Sequence, residues 1–247
     1  MLKRTLSLVG TLALLVSALS YAQTLTFYTD EASFPGLPYM EDFEEGDVPT
    51  PFGLQCPSPL NEWSNNECFA EGTITTSVSF SDYPGPDASG LFLCDKACLN
   101  LFNNPSKNVA ADTNDDAFAI TFSGDGVNAV GLDLVCYGFT ASGTATVQIF
   151  GAGGLLGEAV AECSPAGTFF GVISNQIITQ IVIQSFSNPL EGADNVSFGN
   201  LLQVEESGKT TLCHVSPGKP SQVRTITVSS NAVDAHLDHG DTVGACP

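Results

Sequence analysis

Bulky apolar side chains fall on every second position through much of the chain's middle. The pattern holds in Phe118-Ala119-Ile120-Thr121-Phe122, in Val130, Leu132, Leu134 and Cys136, in Ala145, Val147 and Ile149, and in Ile181 and Ile183. A period of two turns one face of a strand inward and the other outward, which a helix cannot do. Polar or Gly-rich breaks separate the runs at intervals of about ten residues: Ser123-Gly124-Asp125-Gly126, Ala141-Ser142-Gly143, Gly151 to Gly154, and Ser174-Asn175. That rhythm predicts an all-β domain, an antiparallel β-sandwich of two sheets. Helical periodicity is absent there, and no fixed internal period suggests a β-helix or propeller.

The start of the chain reads as an export signal. Lys3 and Arg4 precede the apolar run 6–19, and Ser20 and Ala22 give the small-x-small pattern of a signal-peptidase site ahead of Gln23. Residues 1–22 are therefore expected to be removed, with no later stretch long enough to span a membrane. The destination is secreted, cell-surface or periplasmic, where disulfides persist. Across 247 residues, 43% hydrophobic, there are 27 acids against 7 Lys and Arg, a formal charge of −20. Such a chain can bury a core, but it repels phosphate backbones and anionic membrane surfaces, so no nucleic-acid partner is expected.

Charge divides the exported part in two. Residues 23–207 carry 24 acids and two bases, Lys96 and Lys107, whereas residues 208–247 carry three of each and all three His. The polar joint Glu205-Glu206-Ser207-Gly208 marks the change. The expected organisation is a sandwich over 23–202, a linker over 203–209 and a small Cys/His module over 210–247.

Eight Cys in an exported chain favour disulfides. Nearness in sequence suggests Cys56 with Cys68, Cys94 with Cys98, and Cys136 with Cys163, among fifteen formal pairings of six. The first two would brace the region 49–105, which has little regular pattern. A zinc site on Cys94 and Cys98 lacks a nearby His and a second pair.

Acids concentrate in Glu41-Asp42-Phe43-Glu44-Glu45-Gly46-Asp47, and Asp194-Asn195 recurs near the end of the large part. If the first and last strands lie side by side, Asp42, Glu44, Asp194 and Asn195 could converge on a hard cation, and calcium suits such oxygens. The competing reading is a solvated acidic face that maintains solubility. Asp112, Asn114, Asp115 and Asp116 form a second oxygen-rich stretch without the Gly and terminal Glu of an EF-hand.

Phe27, Phe34, the Glu41-Asp42-Phe43-Glu44 run and the closing Ala193-Asp194-Asn195-Val196-Ser197-Phe198-Gly199 resemble the exported β-sandwich domains of bacterial PEP-CTERM-type proteins, over roughly residues 24–200. The resemblance implies a jelly-roll-like sandwich, an extracellular binding or matrix role and structural calcium. The closing segment, from Cys213-His214 through Pro217-Gly218-Lys219-Pro220 to Ala235-His236-Leu237-Asp238-His239-Gly240-Asp241 and Cys246, is similar to a short module at the ends of many bacterial secreted proteins, roughly CHxPPGxP followed by AHLxHGDxxGxC. Here Ser216 replaces a usual Pro and Lys219 a frequent Asn.

Physical chemistry adds to that module. Residues 223–228 are strand-like, and a short helix is expected over 231–239, capped by Ser229 or Ser230 and ended by Gly240. His236 and His239, three apart, would share a helical face, with Asp241 just beyond. Two arrangements compete. Either Cys213 and Cys246 form a disulfide and leave His214, His236, His239 and Asp241 for a metal or for hydrogen bonding, or Cys213, His236, His239 and Cys246 hold zinc as a closed site. Histidines that merely bond to nearby acids or carbonyls are the bland alternative. A 40-residue unit needs a staple in either case.

Catalytic signatures are lacking. There is no G-x-S-x-G, no H-E-x-x-H and no phosphate-cradling Gly loop, and residues 23–207 contain no His. The expected function is therefore non-enzymatic: an extracellular binding or structural protein, with glycan or matrix as the partner class. The alternatives are a glycan hydrolase that uses a carboxylate pair and a purely structural surface protein.

Overall fold

The structure is a computed structural model that describes residues 23–48, 53–84, 90–95, 106–111, 117–137, 143–185, 190–201, 209–215, 223–229, 232–244 and 246. The export signal, the 112–116 stretch and most of the linker lie outside these residues. Among them, no helix is long and apolar enough to cross a membrane.

Two antiparallel sheets form the bulk of the chain. The first runs β1 (Leu25–Tyr28), β12 (Phe169–Ile178), β9 (Val127–Tyr137), β14 (Leu190–Gly199), β7 (Asn108–Ala111), β6 (Leu91–Cys94) and β3 (Leu54–Cys56), with β2 (Tyr39–Glu41) also on β14. The second runs β11 (Gly154–Cys163), β10 (Gly143–Gly151), β13 (Gln180–Gln184), β8 (Ala117–Phe122), β5 (Val78–Tyr83) and β4 (Leu60–Asn61). The fold is the sandwich that the alternation predicts.

The core fills the space between the sheets. Phe80, Phe118, Ile120, Val147 and Ile181 from the second sheet share one cluster with Val130, Leu132, Leu134, Phe170 and Phe198 from the first. Phe122 and Phe198 meet across the gap with ring centres 5.4 Å apart. Each such side chain contributes about 1.5–3 kcal/mol by leaving water.

Two expectations need correction. Ser174-Asn175 does not end a strand: it lies inside β12, where the register against β9 shifts between Ile173 and Ile178. The region 49–105 is more regular than expected, since β5 alternates buried and half-buried residues through Val78, Phe80 and Asp82. Disulfides join Cys56 to Cys68 and Cys136 to Cys163. Cys94 is also disulfide-bonded, while its expected partner Cys98 lies outside the described residues. These bonds fit an oxidising, extracytoplasmic compartment.

A third sheet draws only on residues 209–243, in the order β16 (Val223–Ser229), β15 (Lys209–Val215) and β17 (Thr242–Val243). One short helix, α1 (Val233–Asp238), accompanies it. The helix is shorter than expected: Ala232 is its N-cap, without a side-chain hydrogen bond, and Ser229 ends β16, while Ser230 lies outside the described residues.

Candidate functional site

The C-terminal sheet brings two histidines onto one carboxylate. His214 lies near the end of β15 and His236 on α1. Gly240, at φ +91°, takes the left-handed conformation that lets a chain leave a helix and turn back. Asp241 follows, its N–H donating to the His236 carbonyl at 3.1 Å. Its Oδ1 accepts the Val215 N–H at 2.9 Å, which fixes the carboxylate. Its Oδ2 meets His214 Nδ1 at 2.8 Å and His236 Nδ1 at 2.7 Å. The imidazoles stand edge to face with centres 5.8 Å apart.

Burial differs between the partners. The Asp241 side chain is 0% exposed, against 26% and 27% for the histidines, so the oxygen is sealed from below while the rings reach solvent. The hydrogen bond from His214 holds the Asp241 carboxyl down at about 2, against the opposing effect of burial and with help from the Val215 N–H and His236. Two imidazole nitrogens and a carboxylate oxygen, all within 4.8 Å of one another, form a group able to hold a metal ion.

The same geometry decides between the two arrangements of the module. Cys213 and Cys246 are joined in a disulfide, so neither is available as a thiolate. Neighbouring residues on a strand point to opposite faces, and Cys213 and His214 accordingly serve different ends. His239 does not join the group: it is the exposed C-cap residue of α1. The helical neighbour expected to share a ligand with His236 is thus replaced by His214, which the β15 strand delivers from the far end of the module.

In the sandwich the two acidic segments do approach, since Val196 of β14 pairs with Glu41 of β2. The expected quartet of Asp42, Glu44, Asp194 and Asn195 does not form one ligand set. Glu44 Oε1 accepts the Lys107 N–H at 3.0 Å, and the Lys107 ammonium donates to the carbonyls of Glu44 and Gly46 at 2.7 and 2.8 Å. Asp42 Oδ1 accepts the Glu44 N–H at 3.2 Å. The acids that do cluster are Glu41, Asp42 and Glu45. Glu41 is buried, which raises its pKa, although its oxygens accept the N–H groups of Phe43 and Thr75 at 2.8 and 2.7 Å.

Asp194 and Asn195 belong to a different constellation. Asp194 pairs directly across the ladder with Asp133 of β9, and a register shift follows before Ser197. Within that bulge Asn195 adopts φ +50°, uncommon for a residue with a side chain, and its Nδ2 donates to Asp133 Oδ2 at 2.9 Å. Burial pushes the Asp194 carboxyl up to about 7, and the charges of Asp133 and Glu44 add to this, while the Ser106 hydroxyl and the Asn195 N–H oppose it. Sequence reading passed over Asp133. The signal was there, a lone acid inside the apolar run Val130 to Cys136.

Compared with protein-family models, curated proteins and solved structures, the chain matches none of them. The class of protein rests on the fold and sites alone: a disulfide-braced, two-sheet sandwich chain whose C-terminal segment carries a His-Asp-His group.

Proposed function

We propose that this is an extracytoplasmic, non-catalytic binding protein whose C-terminal module holds a zinc ion on His214, His236 and Asp241. The convergence of both Nδ1 atoms on Asp241 Oδ2 carries the reading. Imidazole nitrogens with one carboxylate suit zinc and its transition-metal neighbours rather than calcium, which prefers oxygen throughout. Ligand atoms around a tetrahedral zinc stand about 3.3 Å apart, so small shifts of the rings would admit the ion. The Val215 N–H on Asp241 Oδ1 is the outer hydrogen bond that orients a ligating carboxylate. Calcium has no part in this proposal; the Glu41, Asp42 and Glu45 group is one where both Glu41 oxygens already accept backbone N–H groups.

Zinc titration of the oxidised, full-length exported chain, read by native mass spectrometry and elemental analysis, tests the proposal. One zinc per chain is expected, lost in His214→Ala, His236→Ala and Asp241→Asn and retained in His239→Ala. A wild-type chain that takes up no zinc, or variants that keep it, would overturn the reading.

For the sandwich, glycan or matrix remains the proposed partner class. Trp63 supports it, since it is 72% exposed and offers an aromatic face on which a sugar can stack. It is the chain's single Trp, so its fluorescence reports any such contact directly. A polysaccharide panel that leaves the emission of Trp63 unchanged would remove this support. Hydrolysis by a carboxylate pair has one observation in its favour, Asp194, whose carboxyl burial pushes up to about 7, opposite Asp133. Against it, both Asp194 oxygens already accept hydrogen bonds, from Ser106 and the Asn195 N–H.

A further inference from the structure

Residues 30–38 lie over the outer side of the first sheet and enclose a cleft of about 290 Å³ against β9, β12 and β14. Two cross-strand glycines make the seat. Gly131 and Gly171 face each other in the β9–β12 ladder, and a Cβ on either would come within 2.8 or 2.7 Å of the Phe34 ring. The ring therefore lies against bare backbone, braced by Tyr28 and Phe169 at 5.3 and 5.5 Å between centres. Phe34, Phe169 and Met40 supply an apolar wall, and Glu31, Asp133 and Asn195 the polar one.

The polar wall is dominated by acceptors. One N–H of Asn195 Nδ2 donates to Asp133 Oδ2 at 2.9 Å, and the Ser197 hydroxyl donates to the Gly131 carbonyl at 3.1 Å. Asn195 Oδ1, the second Asp133 oxygen and the Glu31 carboxylate remain as acceptors, against the one remaining N–H of the Asn195 amide. Among the described residues no Lys, Arg or His lines the cleft, and the chain is strongly acidic. A ligand that fits must bring hydrogen-bond donors, positive charge and a hydrocarbon surface. A neutral saccharide would want donors in return. A hydrated metal ion would gain nothing from three apolar side chains, whereas an organic cation gains from both walls, including the faces of the aromatic rings.

We propose that this cleft binds an organic cation, an alkylammonium or guanidinium group, with its charge against Asp133 and Asn195 Oδ1 and its hydrocarbon stem against Phe34 and Met40. The site is separate from the zinc module and independent of the reading given for it.

Calorimetric titration of the full-length exported chain at 0.15 M salt tests the proposal. The probes are cadaverine, arginine, a lysine-containing tripeptide and a glucosamine oligomer, each beside its acetylated or neutral counterpart, citrulline in the case of arginine. The four arms distinguish free amines, guanidinium compounds, peptide side chains and amino sugars as sources of the same chemistry. At least one cationic probe should bind with saturable one-to-one stoichiometry and its uncharged counterpart at least tenfold more weakly. Asp133→Asn should weaken binding about tenfold, the equivalent of about 1.4 kcal/mol. Glu31→Gln, at an exposed position that leaves the fold alone, should weaken it about two- to threefold. Glu158→Gln on β11 of the other sheet should leave it unchanged. Equal binding of charged and neutral probes, equal loss in Glu158→Gln, no effect of either cleft variant, or no saturable binding of any cation would overturn the proposal.

Discussion

Asp241 concentrates the chemistry of the module in a single side chain. Its carboxyl titrates near 2 in the folded protein against about 3.8 when free. A depressed carboxylate contributes stability that is present above the unfolded value and lost as pH falls through the folded one. The module should therefore hold its stability down to about pH 4 and lose this contribution between about pH 4 and 2. Denaturation followed at pH 7, 4 and 2 should show that limb in the wild type and not in Asp241→Asn. Asp194 works in the opposite sense. Its carboxyl is raised from 3.8 to about 7, so its effect on stability is most favourable below pH 4 and fades as pH rises toward 7. Asp194→Asn keeps the shape and removes the charge, and it should raise the melting temperature at pH 8 more than at pH 5, by the equivalent of about 1–2 kcal/mol. An equal shift at both pH values would show that the charge is not what burial penalises.

Elements carry the placement that single residues cannot. The glycines of β9 and β12 admit the Phe34 ring, so Gly131→Ala and Gly171→Ala should each displace residues 30–38 and cost about 1–3 kcal/mol, as crowding in packed sites does. Thermal melts and the near-ultraviolet signal of Tyr28 and its ring neighbours would record the displacement, and an unchanged protein would mean that the ring moves aside freely. The strands themselves were legible in the sequence where the alternation was clean, as in β8, β10 and β13. Alternation also placed Val130, Leu132, Leu134 and Cys136 of β9 on the core face, where they lie; it did not show that the other face of the strand is buried too, except at Asp133. A long-range cover leaves no local period to read. In the small module the sequence named His214, His236, His239 and Asp241 as one set; spacing did not show that His239 falls outside it, at the exposed end of α1, while the β15–β17 pairing of Cys213 with Thr242 brings Asp241 to His214. Asp241 itself was readable, because Gly240 before it announces the turn. Cys56 with Cys68 and Cys136 with Cys163 pair as nearness in sequence suggested.

At the scale of the whole molecule, two unequal bodies of hydrogen-bonded sheet are stabilised differently. The sandwich holds a large shared core. Among the described residues, the C-terminal sheet and its helix bury few large apolar side chains, Leu212 and Val233 among them, and such a unit depends on cross-links. Its disulfide closes a separation of 33 residues, for which loss of chain entropy in the unfolded state is worth about 3–4 kcal/mol. The paired change of Cys213 and Cys246 to Ala should therefore unfold the module while the sandwich, with its own disulfides and core, retains its melting transition. Zinc held as proposed would add a second contribution that grows with free metal, because an ion that binds only the folded module stabilises it by mass action. Calorimetry of the wild type should then show a module transition that rises with zinc and a sandwich transition that does not. In the double-Ala variant, saturating zinc should restore part of the lost transition, since His214, His236 and Asp241 remain in place. If the two transitions move together under zinc, the ion binds elsewhere or the two sheets melt as one unit, and the assignment of separate stabilities to them fails.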